Sequence, residues 1–339
     1  MNGLILMTAM PPTRGHEFLI EYAENFMNSS FNSNLYVMVN SRSHEPIIEN
    51  DKEIAFRNQF KNKDRIHFHF FNQDIVQEPS DHPDFWNIWH DIIFSNVQAK
   101  IDFVFASELY GLKLAEVLRA KFIPVNIGRD ILPISATQIR NDPLKNFEWI
   151  MPEFQKMVRQ TVTIFGPESV GKTTLSKALS KEINGHLVPE WAREYLETVG
   201  SDITEDKMKI IIDGQKSLQQ SVISFENKPF IIQDTDLFST LGFYRLWRGN
   251  NPKLVETLAI YLASDLYILP NDKIPFTPDQ LRFGGDKRES DNSFWINILE
   301  EYSLPYYVLQ SWSPEAQLQE AAKYCRNFFN KKINWRFER

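Results

Sequence analysis

A chain of 339 residues is long enough for two domains. Its 42% hydrophobic and 24% charged residues fit a globular protein that folds in water, and no apolar run approaches a membrane span. The net charge of −7 and pI of about 5.6 argue against an extended nucleic-acid surface, and one cysteine, Cys325, leaves no disulfide framework or cysteine metal site. A reducing, cytoplasmic compartment is expected on that ground. The opening MNGLILMTAM lacks the basic region and cleavage site of a signal peptide and reads as a first strand.

Residues 3–9 are that strand, followed by the loop Met10 to His16 and a helix from His16 to Met27 with Phe18, Leu19, Tyr22, Ala23 and Phe26 on one face. Thr13 stands where a helix cap belongs. A T-x-G-H turn from a strand into a helix start suits an anion: Gly15 lets a phosphate approach the backbone, and His16 can donate to it. Asn34–Asn40 alternates as a strand and ends in the polar loop 41–44, which carries Arg42. A helix over 51–61, a strand over His67–Phe71 and a helix from Asp81 to Val97 follow. Its aromatic residues read mainly as core, with Trp86 a candidate to stack on a flat substrate ring. Ile101–Ala106 is a buried strand, then come Ser107 and Glu108 and a helix to about Lys121. Such alternation predicts a parallel sheet whose ligands sit beyond the carboxyl ends of the strands, where Arg42, Ser107 and Glu108 are substrate candidates. In Ile134 to Arg140, Ser135 and Gln138 form a capping-box pattern, so Thr137 and Arg140 lie in the first turns of a new helix suited to a polyphosphate.

The first domain is expected over 1–150, a helical connector over 151–160, and a second domain over 161–339. Val162 and Ile164 alternate with threonines as a strand. Then Gly166, Pro167, Glu168, Ser169, Val170, Gly171, Lys172 and Thr173 fit G-x-x-x-x-G-K-[ST], with Thr174 next and Leu175, Ala178 and Leu179 at helical spacing. Strand, glycine-bounded loop and helix together predict a nucleoside-triphosphate site. Loop amides cradle phosphate, Lys172 supplies a point charge, and the Thr173 hydroxyl can hold Mg²⁺. Glu190, at a strand end near 187–190, and Arg193 after it are candidates for substrate or phosphate contacts. Phe230 to Asp234 is a buried strand ending in acid. Asp234 and Asp236 are the candidates for the Mg²⁺-associated acid or the proton acceptor, while Asp236 can also cap a helix over 237–247. Asp265–Pro270 is another strand. The loop 277–288, with Gly284, Gly285, Arg282, Lys287 and Arg288, has the composition of a lid over a triphosphate.

T-x-G-H after the first strand and I-S-x-T-x-x-R after the last resemble the paired signature of the nucleotidylyltransferase superfamily over roughly residues 3–150. The resemblance implies that Thr13, Gly15, His16, Ser135, Thr137 and Arg140 clasp ATP phosphates from two sides, with His16 and Arg140 catalytic. That family usually has glycine near the start of the first motif, where this chain has Met7-Thr8-Ala9-Met10. The second half (GPESVGKTTL, PEWAREYLE, the Asp234 to Asp236 triplet, DLYILP and LRFGGDKR) is similar to the ribosylnicotinamide kinase half of the NadR-type bifunctional enzymes. The implied architecture is α/β: a Rossmann-like nucleotidylyltransferase parallel sheet, then a P-loop kinase parallel sheet. The implied chemistry uses ATP and Mg²⁺, converts nicotinamide riboside to NMN, and adenylylates NMN to NAD, with Lys172 and the two aspartates catalytic in the kinase. Some relatives begin with a DNA-binding repressor domain. This chain starts at the first strand, so no operator binding, nucleic-acid partner or membrane partner is expected, and a homo-oligomer is left open. The alternatives are another acceptor, nicotinate mononucleotide or a phosphopantetheine, and a C-terminal domain that binds ATP only to regulate.

Overall fold

The computed structural model describes residues 1–28, 32–43, 45, 47–76, 79–200, 204–225, 227–249, 252–273 and 290–332. The chain divides into two compact units, Met1–Val158 and Arg159–Lys332.

The first unit runs β1 (Asn2–Met7), α1 (Arg14–Met27), β2 (Asn34–Ser41), α2 (Glu49–Gln59), β3 (Ile66–Asn72), α3 (Phe85–Val97), β4 (Phe103–Ala106), α4 (Tyr110–Val117), β5 (Lys121–Pro124), α5 (Ala136–Asn141) and α6 (Pro152–Val158). Its five strands pair in the order β3-β2-β1-β4-β5, and every pair is parallel. Both faces are covered, which is why these strands read as near-continuous apolar runs. Ile5, Leu35, Val37 and Val39 face one core with α1, α2 and α6, while Leu4, Met38 and Val104 face the other with α3 and α4. The helix expected to run to about Lys121 ends at Val117, and Lys121–Pro124 instead forms the edge strand β5 against β4. A four-residue strand with one proline offers too little alternation to be read from sequence. In the expected connector, Phe154 and Val158 are buried in the first unit's own core.

The second unit runs β6 (Gln160–Ile164), α7 (Lys172–Glu182), β7 (Gly185–Val188), α8 (Trp191–Val199), α9 (Glu205–Phe225), β8 (Phe230–Gln233), α10 (Leu237–Arg248), α11 (Lys253–Tyr261), β9 (Leu266–Leu269), α12 (Asn292–Glu301), β10 (Tyr306–Val308) and α13 (Pro314–Lys332). Its strands are also all parallel, in the order β10-β9-β6-β8-β7. β8 lies beside β6 with Thr163 opposite Gln233, so the loop leaving β6 and the acid leaving β8 emerge side by side. The helix core packs Phe238, Leu241, Trp295 and Leu299 against Phe165 and Tyr267. Gly242 in α10 makes room for Trp295: a Cβ there would stand 2.3 Å from the indole.

Candidate active sites

In the first unit the T-x-G-H turn is a capping box with histidine in place of the usual glutamate or glutamine. Thr13 Oγ1 accepts from the His16 backbone N–H at 3.3 Å, and the Thr13 backbone N–H donates to His16 Nδ1 at 3.0 Å. Nδ1 is therefore an acceptor, and the proton of the neutral ring sits on Nε2. Thr13 Oγ1 lies a further 2.8 Å from Nδ1 and can donate to it. Burial, and secondly the charge of Lys52, push the His16 pKa down to about 4. His16 at neutral pH is thus a fixed, uncharged donor at a helix N-terminus, which is itself an anion site. Gly15 is exposed, and a Cβ there would meet only Thr13 Oγ1, at 3.3 Å.

The second motif is joined to the first by Arg140. Its guanidinium donates to the Met10 carbonyl at 2.5 Å and to Thr137 Oγ1 at 2.8 Å. Ser135 and Gln138 form the expected capping box of α5. The chain then returns to the first motif: Met151 N–H donates to the Pro12 carbonyl, and Thr13 bridges to Ile150. The structure thus brings Thr13, Gly15, His16, Thr137 and Arg140 to one place.

Lys52 was not visible in the sequence as part of this site, because lysine on a helix normally means solvent. Here it is fully buried. Its ammonium donates to the Thr8 carbonyl at 2.7 Å and pairs with Glu45 Oε2 at 3.0 Å; burial lowers its pKa and Glu45 opposes that. It fixes the backbone just before Ala9, whose φ is +48°. The left-handed conformation that favours glycine is therefore present in the stretch where the superfamily places one, but held by alanine.

Of the substrate candidates, Arg42 is at the end of β2 and ion-paired to Glu45 at 3.1 Å. Ser107 and Glu108 are exposed beyond β4, Glu108 facing Arg129 at 3.4 Å. Trp86 packs edge-on against Phe85 at the margin of the α3–α4 core. Alongside α1 a cavity of about 400 Å³ is lined by Arg14, Glu17, Phe18, Leu132 and Trp149 among others. Its aromatic walls suit a planar ring, and no motif announced it.

In the second unit the phosphate loop has φ of +125° at Gly166, +60° at Ser169 and +81° at Gly171. Gly171 caps α7, so the loop amides and the helix N-terminus converge. Lys172 Nζ donates to the carbonyls of Gly166 and Pro167 at 3.0 and 2.7 Å. A cavity of about 170 Å³ joins Glu168, Ser169, Lys172 and Thr173 to Glu190, Arg193 and Phe243. Burial raises the Asp234 pKa, while the neighbouring Thr173 hydroxyl and Lys172 ammonium oppose the rise. Asp234 Oδ1 is buried without a hydrogen-bond partner. A threonine hydroxyl beside an unsatisfied carboxylate oxygen fits a phosphate-bound Mg²⁺, which keeps few protein ligands. Glu190 also has a raised pKa, from burial first, with Lys172 opposing. Arg193 lies 3.6 Å from Glu190.

The two aspartates part company here. Asp236 Oδ1 accepts from the Ser239 N–H at 2.9 Å, capping α10, and its Oδ2 accepts from the Tyr267 hydroxyl at 2.7 Å. Both Asp236 oxygens are occupied inside the fold, while Asp234, with an unpartnered Oδ1, is the aspartate influenced by Thr173 and Lys172. Phe243 was missed, because in sequence it is one aromatic among several on α10. Arg282, Arg288 and the rest of the expected lid lie outside the described residues.

These features define a class: an α/β protein with two candidate phosphate sites, a histidine-capped turn in one parallel sheet and a glycine-bounded loop in another. Residues 161–317 match the AAA domain family model. The chain is 29% identical over 261 residues to the trifunctional NAD biosynthesis/regulator protein NadR of Escherichia coli (strain K12), covering 73% of this chain and 62% of that protein. It is 28% identical over 260 residues to the same-named protein of Salmonella typhimurium, with the same coverage. The chain thus spans under two thirds of the length of these curated relatives. A crystal structure of NadR protein in complex with NR superposes with a TM-score of 0.72 at 19% identity over 96% of both chains. Another, in complex with NAD and AMP-PNP, gives 0.69 at 21% identity over 98% of this chain and 97% of that one. The chain is thus similar in sequence to the curated NadR proteins over about 260 residues and shares the fold of the solved NadR structures.

Proposed function

We propose that the chain is a bifunctional NAD salvage enzyme. Its second unit phosphorylates nicotinamide riboside with ATP to NMN, and its first unit adenylylates NMN with ATP to NAD and pyrophosphate. The observation that supports this best is the pairing in one chain of a protonated Nε2 donor at His16 with a second, self-contained phosphate loop facing Asp234.

In the kinase reaction the riboside 5′-hydroxyl attacks the γ-phosphorus of ATP. Lys172 leaves the two loop carbonyls for the β and γ phosphates, and the loop amides hold the rest. Thr173 and Asp234 would hold Mg²⁺, which supplies charge neutralisation at the transferring phosphoryl group. ADP leaves, the Asp234 carboxylate beside Thr173 is the candidate to take the hydroxyl proton, and Glu190 and Arg193, which line the cavity, orient the riboside. In the adenylyltransferase reaction the nucleophile is the NMN phosphate, already an anion, so no general base is required. Rate comes from alignment and from stabilising charge on the α-phosphate by His16 Nε2–H, the α1 N-terminus and Arg140.

The test is incubation with nicotinamide riboside, ATP and Mg²⁺, with NMN and NAD followed separately. NMN appears first and NAD follows. No NMN from riboside sinks the kinase assignment. No NAD from supplied NMN, with turnover of nicotinate mononucleotide or 4′-phosphopantetheine instead, replaces the acceptor.

A further inference from the structure

We propose that Tyr267 is a positioning residue for phosphoryl transfer: its hydroxyl, acting through Asp236 and Thr235, aims the Asp234 carboxylate at Thr173. This rests on the kinase reading of the second unit. Thr235, between the site acid and the helix cap, has a φ of +94° and is buried. A β-branched side chain is strongly disfavoured there, and such a conformation persists only where the surroundings impose it.

The restraints are visible on both sides. On one side the Asp234 N–H donates to the Val188 carbonyl at 2.9 Å, tying the turn to β7. On the other, Asp236 is held by the Ser239 N–H and by the Tyr267 hydroxyl, which itself accepts from the Ser264 N–H at 3.1 Å. The turn that carries Asp234 is thus stretched between two fixed points, one of which is Tyr267. The tyrosine ring serves the other half of the site. It packs edge-on at 5.3 Å against Phe165, the residue that enters the phosphate loop, while Tyr267 itself is opposite Thr163 in the β6–β9 pairing. One side chain therefore registers the loop against the acid.

Tyr267→Phe keeps the ring and removes only the hydroxyl. We expect the kinase kcat to fall about ten- to hundredfold, the scale of a misplacement near 1 Å, with KM for riboside and ATP within about twofold and the adenylyltransferase rate of the same chain unchanged. Adding Thr235→Gly should restore most of the loss, because glycine takes a positive φ without a steric penalty and no longer needs the anchor. A crystal structure of Tyr267→Phe should show residue 235 out of the left-handed region. If Tyr267→Phe does not fold, Asp236→Asn carries the same test, keeping an acceptor for the Ser239 N–H while weakening the tyrosine bond. A wild-type kcat in the folded variant, a change in KM alone, or no rescue by Thr235→Gly overturns the positioning role. A wild-type chain that phosphorylates no riboside overturns the kinase reading itself, and is recognised before any variant is made.

Discussion

Under the proposed reactions the two units would hold phosphate by opposite means. In the first, the donor is neutral and already fixed: Thr13 locks His16 so that Nε2 carries the proton, and Arg140 bolts the second motif to the Met10 carbonyl. In the second, the donor is a point charge that rests on its own loop carbonyls and must exchange them for the ligand. The difference suits the chemistry assigned to each. An anionic nucleophile attacking an anionic triphosphate needs alignment above all, which rigid hydrogen bonds give cheaply in entropy. A neutral hydroxyl attacking a terminal phosphoryl group needs charge neutralisation there and a carboxylate to take its proton, the parts proposed for Lys172 and Asp234.

The largest effect expected on this contrast is structural. Lys52→Ala removes the buried partner of Glu45 and of the Thr8 carbonyl, and should destabilise the first unit by about 3–5 kcal/mol. Calorimetry should show that one transition move while the riboside kinase activity at low temperature survives. Nearly as large are the site variants. Lys172→Ala should cut riboside phosphorylation by about 10²–10³ and leave NAD formation from NMN intact, and His16→Ala should do the reverse. Loss of both activities in either folded variant breaks the division into two sites.

The histidine contrast sharpens with pH. A group whose folded pKa is depressed gives stability that is full above its unfolded value, 6.5, and lost as pH falls toward the folded value of about 4. That window is worth on the order of 3 kcal/mol to the first unit. Urea melts at pH 7 and pH 4.5 should separate accordingly, and NAD formation should show no His16 titration between pH 6 and 8. A His16 imidazole NMR signal that titrates near pH 6.5 would contradict a ring locked neutral. The smallest effect is at Ala9, where φ is +48°. Ala9→Gly relieves that strain but gives up a buried methyl, so the stability of the first unit should change by less than about 1 kcal/mol, read as a shift of at most a few degrees in its transition.

The sequence made the phosphate chemistry legible because glycines and cap residues at fixed spacing leave few other structures open. The T-x-G-H cap, the Ser135–Gln138 box and the strand–loop–helix at Gly166 all formed as read. What stayed hidden depends on tertiary burial. The sequence offered both Asp234 and Asp236 for the site and Asp236 also as a helix cap, and the Tyr267 hydroxyl, supplied from β9, occupies the oxygen of Asp236 that the cap leaves over. Lys52 and Phe243 belong to residue classes that usually mean surface and core, and their roles come from which elements the parallel order places beside them. Thr235 carries a backbone angle that no composition signals.

The most direct measurement of the central claim, that each unit is a complete site and the two act in series, is complementation in trans. Neither His16→Ala nor Lys172→Ala alone should make NAD from nicotinamide riboside, ATP and Mg²⁺, while an equimolar mixture should make it after a lag during which NMN accumulates. A mixture that forms NMN but no NAD, although Lys172→Ala adenylylates NMN added from outside, contradicts the account.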